Sequence, residues 1–499
     1  MRLTMSSVMM ATPPPVELAG PGWAVAVPLL VLPALLLCPP DQRLLSVLAS
    51  AFVCLLAQCF LPRARFRANH YFSPVNVALV LLHMKILVVP VLLMAYGYEN
   101  KIMALTASTR SIEGAILVDT IAYLAFCLGL QFAPGGPVTP GRFSLLPALS
   151  QTPSSTYIFV FAGLGLVGLF LTFGSIGRFV QYFSDPASVI DQQGGASWGE
   201  FFGTILRPFF AFSLVTWWSR VADRSRESGD TWRPVMAGLA AAVGITIANL
   251  TFGFNRGAVV FPLVSLIAVY SARIRRIPPV LTLAAVVVFI PVLLAVGSFR
   301  GNSQLAQVAP NASREVEVSV NDLTENIVVY CAGPQLTAVF YESLDWGNRL
   351  WGGTTLISSV MSPIPILGKG FRDTSGPVVY NHAIYGTSGI DDQIPAYVAE
   401  LFGNFHVPGV VAGFIALSLL LAMFESWLQA VKSTFGAFII QYIAVWGALL
   451  AVWSVSVYVQ ILFYFLGPVY LYLAATHAGA LLRRSPAPSI SYQTGAGIR

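Results

Sequence analysis

The chain has 499 residues, of which 56% are hydrophobic and only 10% charged, with a mean hydropathy of +0.73. Soluble domains carry about 25% charged residues, so this composition excludes a water-facing globule and defines a membrane protein. The net charge of +6 sits in small clusters between apolar runs and forms no continuous stripe, which argues against a nucleic-acid partner and makes the basic residues determinants of topology.

Barrel-type alternation is absent, so the spanning elements are helices. Residues 1–22 read as a polar, proline-bearing cytoplasmic segment with no small-residue cleavage pattern, and no removable signal peptide is expected. Apolar runs near the length of a span follow at Trp23 to Cys38, Leu44 to Leu61, Val75 to Tyr96, Glu113 to Phe132, Thr156 to Phe173, Thr204 to Trp218, Pro234 to Phe252, Gly257 to Ser271 and Pro278 to Val296. These occupy residues 23–296, and three more, Ala396 to Phe424, Phe435 to Trp453 and Ser456 to Ala478, occupy 396–478. The expected architecture is an all-α polytopic bundle of about 12 spans. Residues 297–395 form one large periplasmic loop between late spans, and 479–499 form a cytoplasmic tail whose last part, Ser485 to Arg499, is small, polar and expected to be disordered.

With the N-terminus inside, Arg63, Arg65, Arg67, Arg142, Arg220, Arg224, Arg226, Arg233, Arg273, Arg275, Arg276, Arg483 and Arg484 all face the cytoplasm. Arg43, Lys101 and Arg110 fall outside and count against the assignment. Within the long loop, Val316 to Leu344 reads as partly helical and amphipathic, and Trp351 to Leu367 as a surface-lying or re-entrant element. The cysteines, Cys38, Cys54, Cys59, Cys127 and Cys331, are odd in number and irregular in spacing, so neither a disulfide framework nor a metal site is expected.

Four cations break the inside rule close to a span: Arg178, Arg207, Arg256 and Arg300. A guanidinium near the outer membrane boundary needs an anion or a snorkelling route, and its planar fork fits phosphate oxygens. They read either as a site for a phosphorylated lipid head or as helix-end anchors at the headgroups. Arg256 favours the first reading, because it occupies the tight turn Phe254-Asn255-Arg256-Gly257 ahead of a helix N-terminus. Lys85 lies roughly 16 Å below the outer end of its span and Asp119 roughly 9 Å below that of the next. A structural ion pair and a proton or ion pathway both suit them. The outer-face candidates for acid–base work are His382, Asp391, Asp392, Glu400 and His406.

The stretch Tyr397-Val398-Ala399-Glu400-Leu401-Phe402-Gly403-Asn404-Phe405-His406-Val407-Pro408-Gly409 resembles the signature region of the O-antigen polymerase and ligase superfamily. That family's repeat-unit polymerases show an E-x-x-x-N-F-G-x-x-G pattern opening a late span. Glu400, Asn404, Phe405 and Gly409 match, and His406 stands in place of the usual glycine. Pro363 to Lys369 resembles the family's proline-rich segment ending in Lys, Asn255-Arg256-Gly257 its Arg-Gly turn, and Arg300 is similarly placed to its second arginine. The likeness covers the second half of the chain.

The resemblance implies a metal-independent, cofactor-free glycosyltransferase of the bacterial inner membrane, joining undecaprenyl-pyrophosphate-linked oligosaccharides at the periplasmic face. Donor and acceptor are both lipid-linked oligosaccharides, and a chain-length-regulating co-polymerase is a further partner. Arg256 and Arg300 would hold the pyrophosphate, with Arg207, Arg178 and Lys369 beside them. An acceptor hydroxyl needs a base within hydrogen-bond reach, and the candidates rank Glu400, His382, Asp392. Tyr380, Tyr385, Trp346 and Trp351 are candidate saccharide-stacking surfaces, or simply interface aromatics. The ligase branch carries a His-Asn pair where this chain has Asp391 and Asp392, which disfavours a ligase. A lipid-linked oligosaccharide flippase or other secondary transporter is the main rival; the long loop and the lack of repeated halves count against it.

Overall fold

A computed structural model describes residues 22–38, 43–60, 72–96, 107–133, 145–184, 198–252, 256–278, 324, 327–348, 350–364, 368–385 and 394–484. All regular structure among them is helical. The first half holds α1 (Gly22–Leu37), α2 (Leu45–Phe60) and α3 (Pro74–His83), which runs through a π-helical turn at Met84–Val88 into α4 (Val89–Tyr96). It continues with α5 (Thr109–Phe132), α6 (Leu146–Leu149), α7 (Ser155–Phe173), α8 (Ile176–Ser184), α9 (Trp198–Leu206), α10 (Pro208–Ser228), α11 (Trp232–Leu250) and α12 (Arg256–Arg273). The second half holds α13 (Pro334–Ser343), α14 (Thr354–Met361), α15 (Gly376–Tyr385), α16 (Tyr397–Ala430), α17 (Thr434–Ala448), α18 (Val455–Phe465) and α19 (Gly467–Arg484).

Among the described residues, seven helical stretches are long and apolar enough to cross a membrane: Pro74–Ala95, Thr109–Phe132, Ser155–Phe173, Phe201–Ser228, Trp232–Leu250, Tyr397–Ala430 and Thr434–Ala451. The pair α18 and α19, bent by 55°, makes an eighth if it is one span. The protein is therefore a polytopic helical membrane protein, with fewer full-length spans among the described residues than the 12 expected. Runs at α1, α2 and α12 are helical and apolar but shorter, and the run Pro278 to Val296 lies outside the described residues past Pro278. Pro334–Ser343 and Thr354–Met361 are helical, and residues 301–323 lie outside the described residues.

Small residues let the spans close on one another. On α5, a Cβ at Gly129 would fall 2.0 Å from Ser418 Oγ and 2.9 Å from the Ile415 backbone of α16. On α7, Cβ atoms at Gly165 and Gly168 would fall 2.3 and 2.6 Å from the backbone nitrogens of Phe210 and Arg207. Without a hydrophobic force between helices in lipid, such close backbone approach supplies much of the packing energy.

The scarce carboxylates serve helix starts. The first four N–H groups of a helix have no partner in their own helix, and in hydrocarbon an unmet donor is costly. Leu45 N of α2 donates to Glu113 (2.8 Å), Ser108 N before α5 to Glu342 (3.4 Å), Val75 N of α3 to Glu425 (3.3 Å), Thr434 N of α17 to Asp223 (3.1 Å) and Val455 N of α18 to Glu400 (2.8 Å). Each carboxylate comes from a different helix than the one it caps, so it joins two elements and also meets the positive end of a helix dipole.

Arginines serve helix ends in the same way. Arg43 donates to the carbonyls of Leu36 and Cys38, Arg207 to Thr251, and Arg273 to Leu428 and Val431. Arg220 donates to the Pro153 carbonyl. These contacts put the starts of α3 and α17, the end of α16, Arg220 and Arg273 at one end of the bundle. The starts of α2, α5, α16 and α18 are at the other. Arg220 and Arg273 thus share an end, as the charge rule requires of residues on one face.

Candidate functional site

Two polar centres are built where the segment 327–385 meets the spans. The first lies deep in the bundle. Lys85, on the π-helical turn between α3 and α4, reaches Asp119 of α5 at 3.6 Å, and both side chains are 1% exposed. The Lys85 ammonium also donates to the Ala332 carbonyl at 2.8 Å. π-helical turns concentrate at functional positions, and this one brings a cation to the turn between residues 327–330 and α13. Ala332 has φ +48°, a left-handed conformation that costs a residue with a Cβ about 1 kcal/mol. Gly333 and Pro334 then start α13. α13 runs beside α5, and its Glu342 accepts from the Ser108 hydroxyl at 3.1 Å. Burial, and after it the Asp119 charge, holds the Tyr341 phenol of α13 well above its ordinary range.

The second centre is the start of α16. Asn404 makes three bonds there: Oδ1 accepts from Gly353 N (2.9 Å), and Nδ2 donates to Thr355 Oγ1 (2.5 Å) and to the Glu400 carbonyl (2.6 Å). Trp351 N donates to the Gly403 carbonyl (3.0 Å), and a Cβ at Gly403 would fall 2.8 Å from the Trp351 ring. Tyr397 N donates to the Trp453 carbonyl (3.0 Å). Glu400 is 1% exposed: one oxygen caps α18, and the other faces Gly376, where a Cβ would come within 1.9 Å. Ser359 of α14 lies beside the same carboxyl group. Glu400, Gly403 and Asn404 thus hold α14, α15, α16 and α18 as one unit.

The helix changes direction at His406, whose φ of 58° and ψ of −156° fall in a region used almost only by glycine. Pro408 follows two residues later and lacks the N–H that would continue the helical ladder. The His406 ring lies on Phe402 at 4.5 Å, and its Nε2 is 3.2 Å from the Trp346 carbonyl oxygen. Asp345 and Trp346 also have positive φ, of 47° and 50°. Gly347, at φ +103°, admits the imidazole where a Cβ would come within 2.3 Å of it. Backbone strain of this kind costs about 1–3 kcal/mol per residue and persists where the surroundings over-determine it.

Of the residues expected at the pyrophosphate, Arg207 is buried between α9 and α10. It donates to Thr251 O (2.6 Å) and Thr204 Oγ1 (3.1 Å), with its guanidinium 4.2 Å from the Phe252 ring centre. It therefore grips the end of α11, five residues before Arg256. Arg178 is exposed on α8. Arg256 starts α12, Lys369 lies on a helical turn at Gly368–Gly370 and Tyr385 ends α15; their side chains, like Arg300, Asp391 and Asp392 entirely, lie outside the described residues.

His382 is exposed on α15. Tyr380 is buried against Phe340 at 5.0 Å, and half-buried Trp351 packs on the same ring at 5.3 Å. These two rings serve the packing of the loop segment in this conformation. Lys85 and Asp119 meet across adjacent spans, as their depths allowed, a contact common to the structural-pair and ion-pathway readings. Sequence reading missed the link to Ala332, the capping work of Glu400 and the strain at His406. The signals available were Gly333-Pro334, Gly352-Gly353 and Pro408 two residues after His406.

Comparison of the chain with protein-family models, with curated proteins and with solved structures finds no match.

Proposed function

We propose that the protein is an inner-membrane glycosyltransferase that joins undecaprenyl-pyrophosphate-linked oligosaccharide repeat units into a surface polysaccharide at the periplasmic face. The observation that supports this reading best is the seating of the Tyr397 to Gly409 stretch. Its Glu400 and Asn404, two of the four residues that carry the resemblance, bind with Gly403 the segments before and after the stretch into one unit.

The chemistry suits the composition. A sugar linked to a lipid pyrophosphate already carries a good leaving group, so the protein must orient two saccharides and stabilise the charge that grows on the pyrophosphate. Arg256 and Arg300 are the proposed grip, and Arg207 is a positioning residue that holds Thr251, five residues before Arg256. The test is separate substitution, Arg256→Ala and Arg300→Ala, with membrane level and polymer length measured together. Loss of polymer at unchanged protein level is expected; normal length and yield in both variants would remove the proposed grip.

A second reading, a lipid-linked oligosaccharide transporter, draws support from the buried Lys85–Asp119 pair at the break before α13. Charges at this depth and interrupted helices are features of transport pathways. Translocation of a labelled lipid-linked repeat unit in liposomes, with no change in its length, would favour it.

A further inference from the structure

We propose that His406, flanked by Trp346 and Phe405, is the general base of the acceptor-saccharide subsite; the assignment rests on the polymerase reading. Among the described residues four without glycine's freedom have positive φ, Ala332, Asp345, Trp346 and His406. Three of these meet at one point, where the 345–347 turn touches the α16 kink. A glycine at position 406 would form the same kink without strain. The chain places an imidazole there instead, and strain of this kind concentrates at functional sites.

The hydrogen bond sets the chemistry of the ring. A carbonyl oxygen only accepts, so the Nε2 that faces Trp346 O at 3.2 Å carries a proton. In the neutral ring that leaves Nδ1 as the free lone pair, held in direction by the Phe402 face and by the bond to Trp346. Glu400 differs on this count, because its carboxylate is sealed at 1% exposure and engaged on Val455 N. His406 is partly exposed. Trp346 and Phe405 are exposed by 36% and 45% beside it, and aromatic faces of this kind stack on sugar rings.

The place also fits. Residues 407–430 of α16 extend about 36 Å at 1.5 Å per residue, enough to cross the hydrocarbon alone. The kink therefore sits at the membrane boundary, where the sugar of a lipid-linked substrate lies. In the step, the acceptor hydroxyl gives its proton to His406 Nδ1 while its oxygen forms a bond to the donor's anomeric carbon. The bond from that carbon to the pyrophosphate oxygen breaks, and the lipid pyrophosphate leaves with the electron pair. The imidazolium then returns its proton to water.

The experiment uses the full-length protein in liposomes with a synthetic polyprenyl-pyrophosphate-linked repeat unit, comparing wild type, His406→Gly and His406→Gln. His406→Gly is expected to unfold at the same temperature as wild type or higher. Its kcat is expected to fall about 100-fold or more, in the range of a lost general base, with KM within a few-fold, and added imidazole should restore part of the rate. His406→Gln keeps a donor toward Trp346 O but has no base, and should be as slow. A His406→Gly kcat within threefold of wild type would overturn the assignment. So would a loss that imidazole does not relieve and that follows a matching loss of thermal stability, since His406 would then serve the fold. Wild-type protein that makes no polymer is a separate result: it would remove the polymerase reading and the base with it.

Discussion

Replacing Lys85 by methionine removes the ammonium that neutralises Asp119 at 3.6 Å and donates to the Ala332 carbonyl at 2.8 Å. The Asp119 carboxylate then sits in a bundle interior from which both partners are 99% shielded, each being 1% exposed. Removing one member of a buried pair costs about 3–5 kcal/mol, whereas replacing both by apolar side chains of similar volume is close to neutral. Here the double variant Lys85→Met with Asp119→Leu still leaves the Ala332 carbonyl without its donor, a cost of about 1–3 kcal/mol. The two single losses should therefore exceed the double loss by about 3 kcal/mol or more, a coupling well outside the additivity expected of independent sites. Titration with a denaturing detergent in mixed micelles measures all three.

Cys331 gives a second reading of the same lock. Its thiol is buried next to Ala332, and burial pushes it up to about 11. Maleimide labelling should be slow in the native protein and faster in Lys85→Met. Strict additivity of the three stabilities, with Cys331 labelling unchanged, would refute the idea that the pair fixes the start of α13.

Asn404→Ala removes bonds to Gly353, Thr355 and the Glu400 carbonyl, and should cost about 2–4 kcal/mol in the same titration; a loss under about 0.5 kcal/mol would mean water replaces them. Ala332→Gly removes the left-handed strain at φ +48° and should stabilise by a few tenths to about 1 kcal/mol, whereas destabilisation would show that the strain is not relieved there. Gly129→Ala sets a methyl group 2.0 Å from Ser418 Oγ and 2.9 Å from the Ile415 backbone, so α5 and α16 must separate. A loss of about 1–3 kcal/mol is expected, and an unchanged unfolding midpoint would contradict the packing described.

The spans were legible because lipid imposes one rule, a long apolar helix with its backbone bonds internal. The runs at Val75, Glu113, Thr156, Pro234 and Phe435 each begin within a few residues of an observed helix. α10 outran its apolar stretch, Thr204 to Trp218, because the polar turns through Arg220 and Asp223 are held by Pro153, Thr152 and Thr434. Those bonds are tertiary and leave no periodic trace. Depth counting paired Lys85 with Asp119 across two spans, but the third member, a backbone carbonyl of Ala332, has no side chain to announce it.

The site was less legible for the same reason. Glu400 reads in sequence as an unpaired carboxylate at a span start, and nothing local shows that it caps α18, 55 residues further along the chain. The mismatch of His406 with a glycine pattern was visible, yet its meaning appeared only with the backbone dihedral angles.

Whether the protein is a polymerase is decided by polymer formation from the purified protein in liposomes that contain only a polyprenyl-pyrophosphate-linked repeat unit. A ladder of products longer than one repeat is expected, formed without nucleotide and lost in Arg256→Ala. Translocation of intact single repeats with no ladder would contradict it.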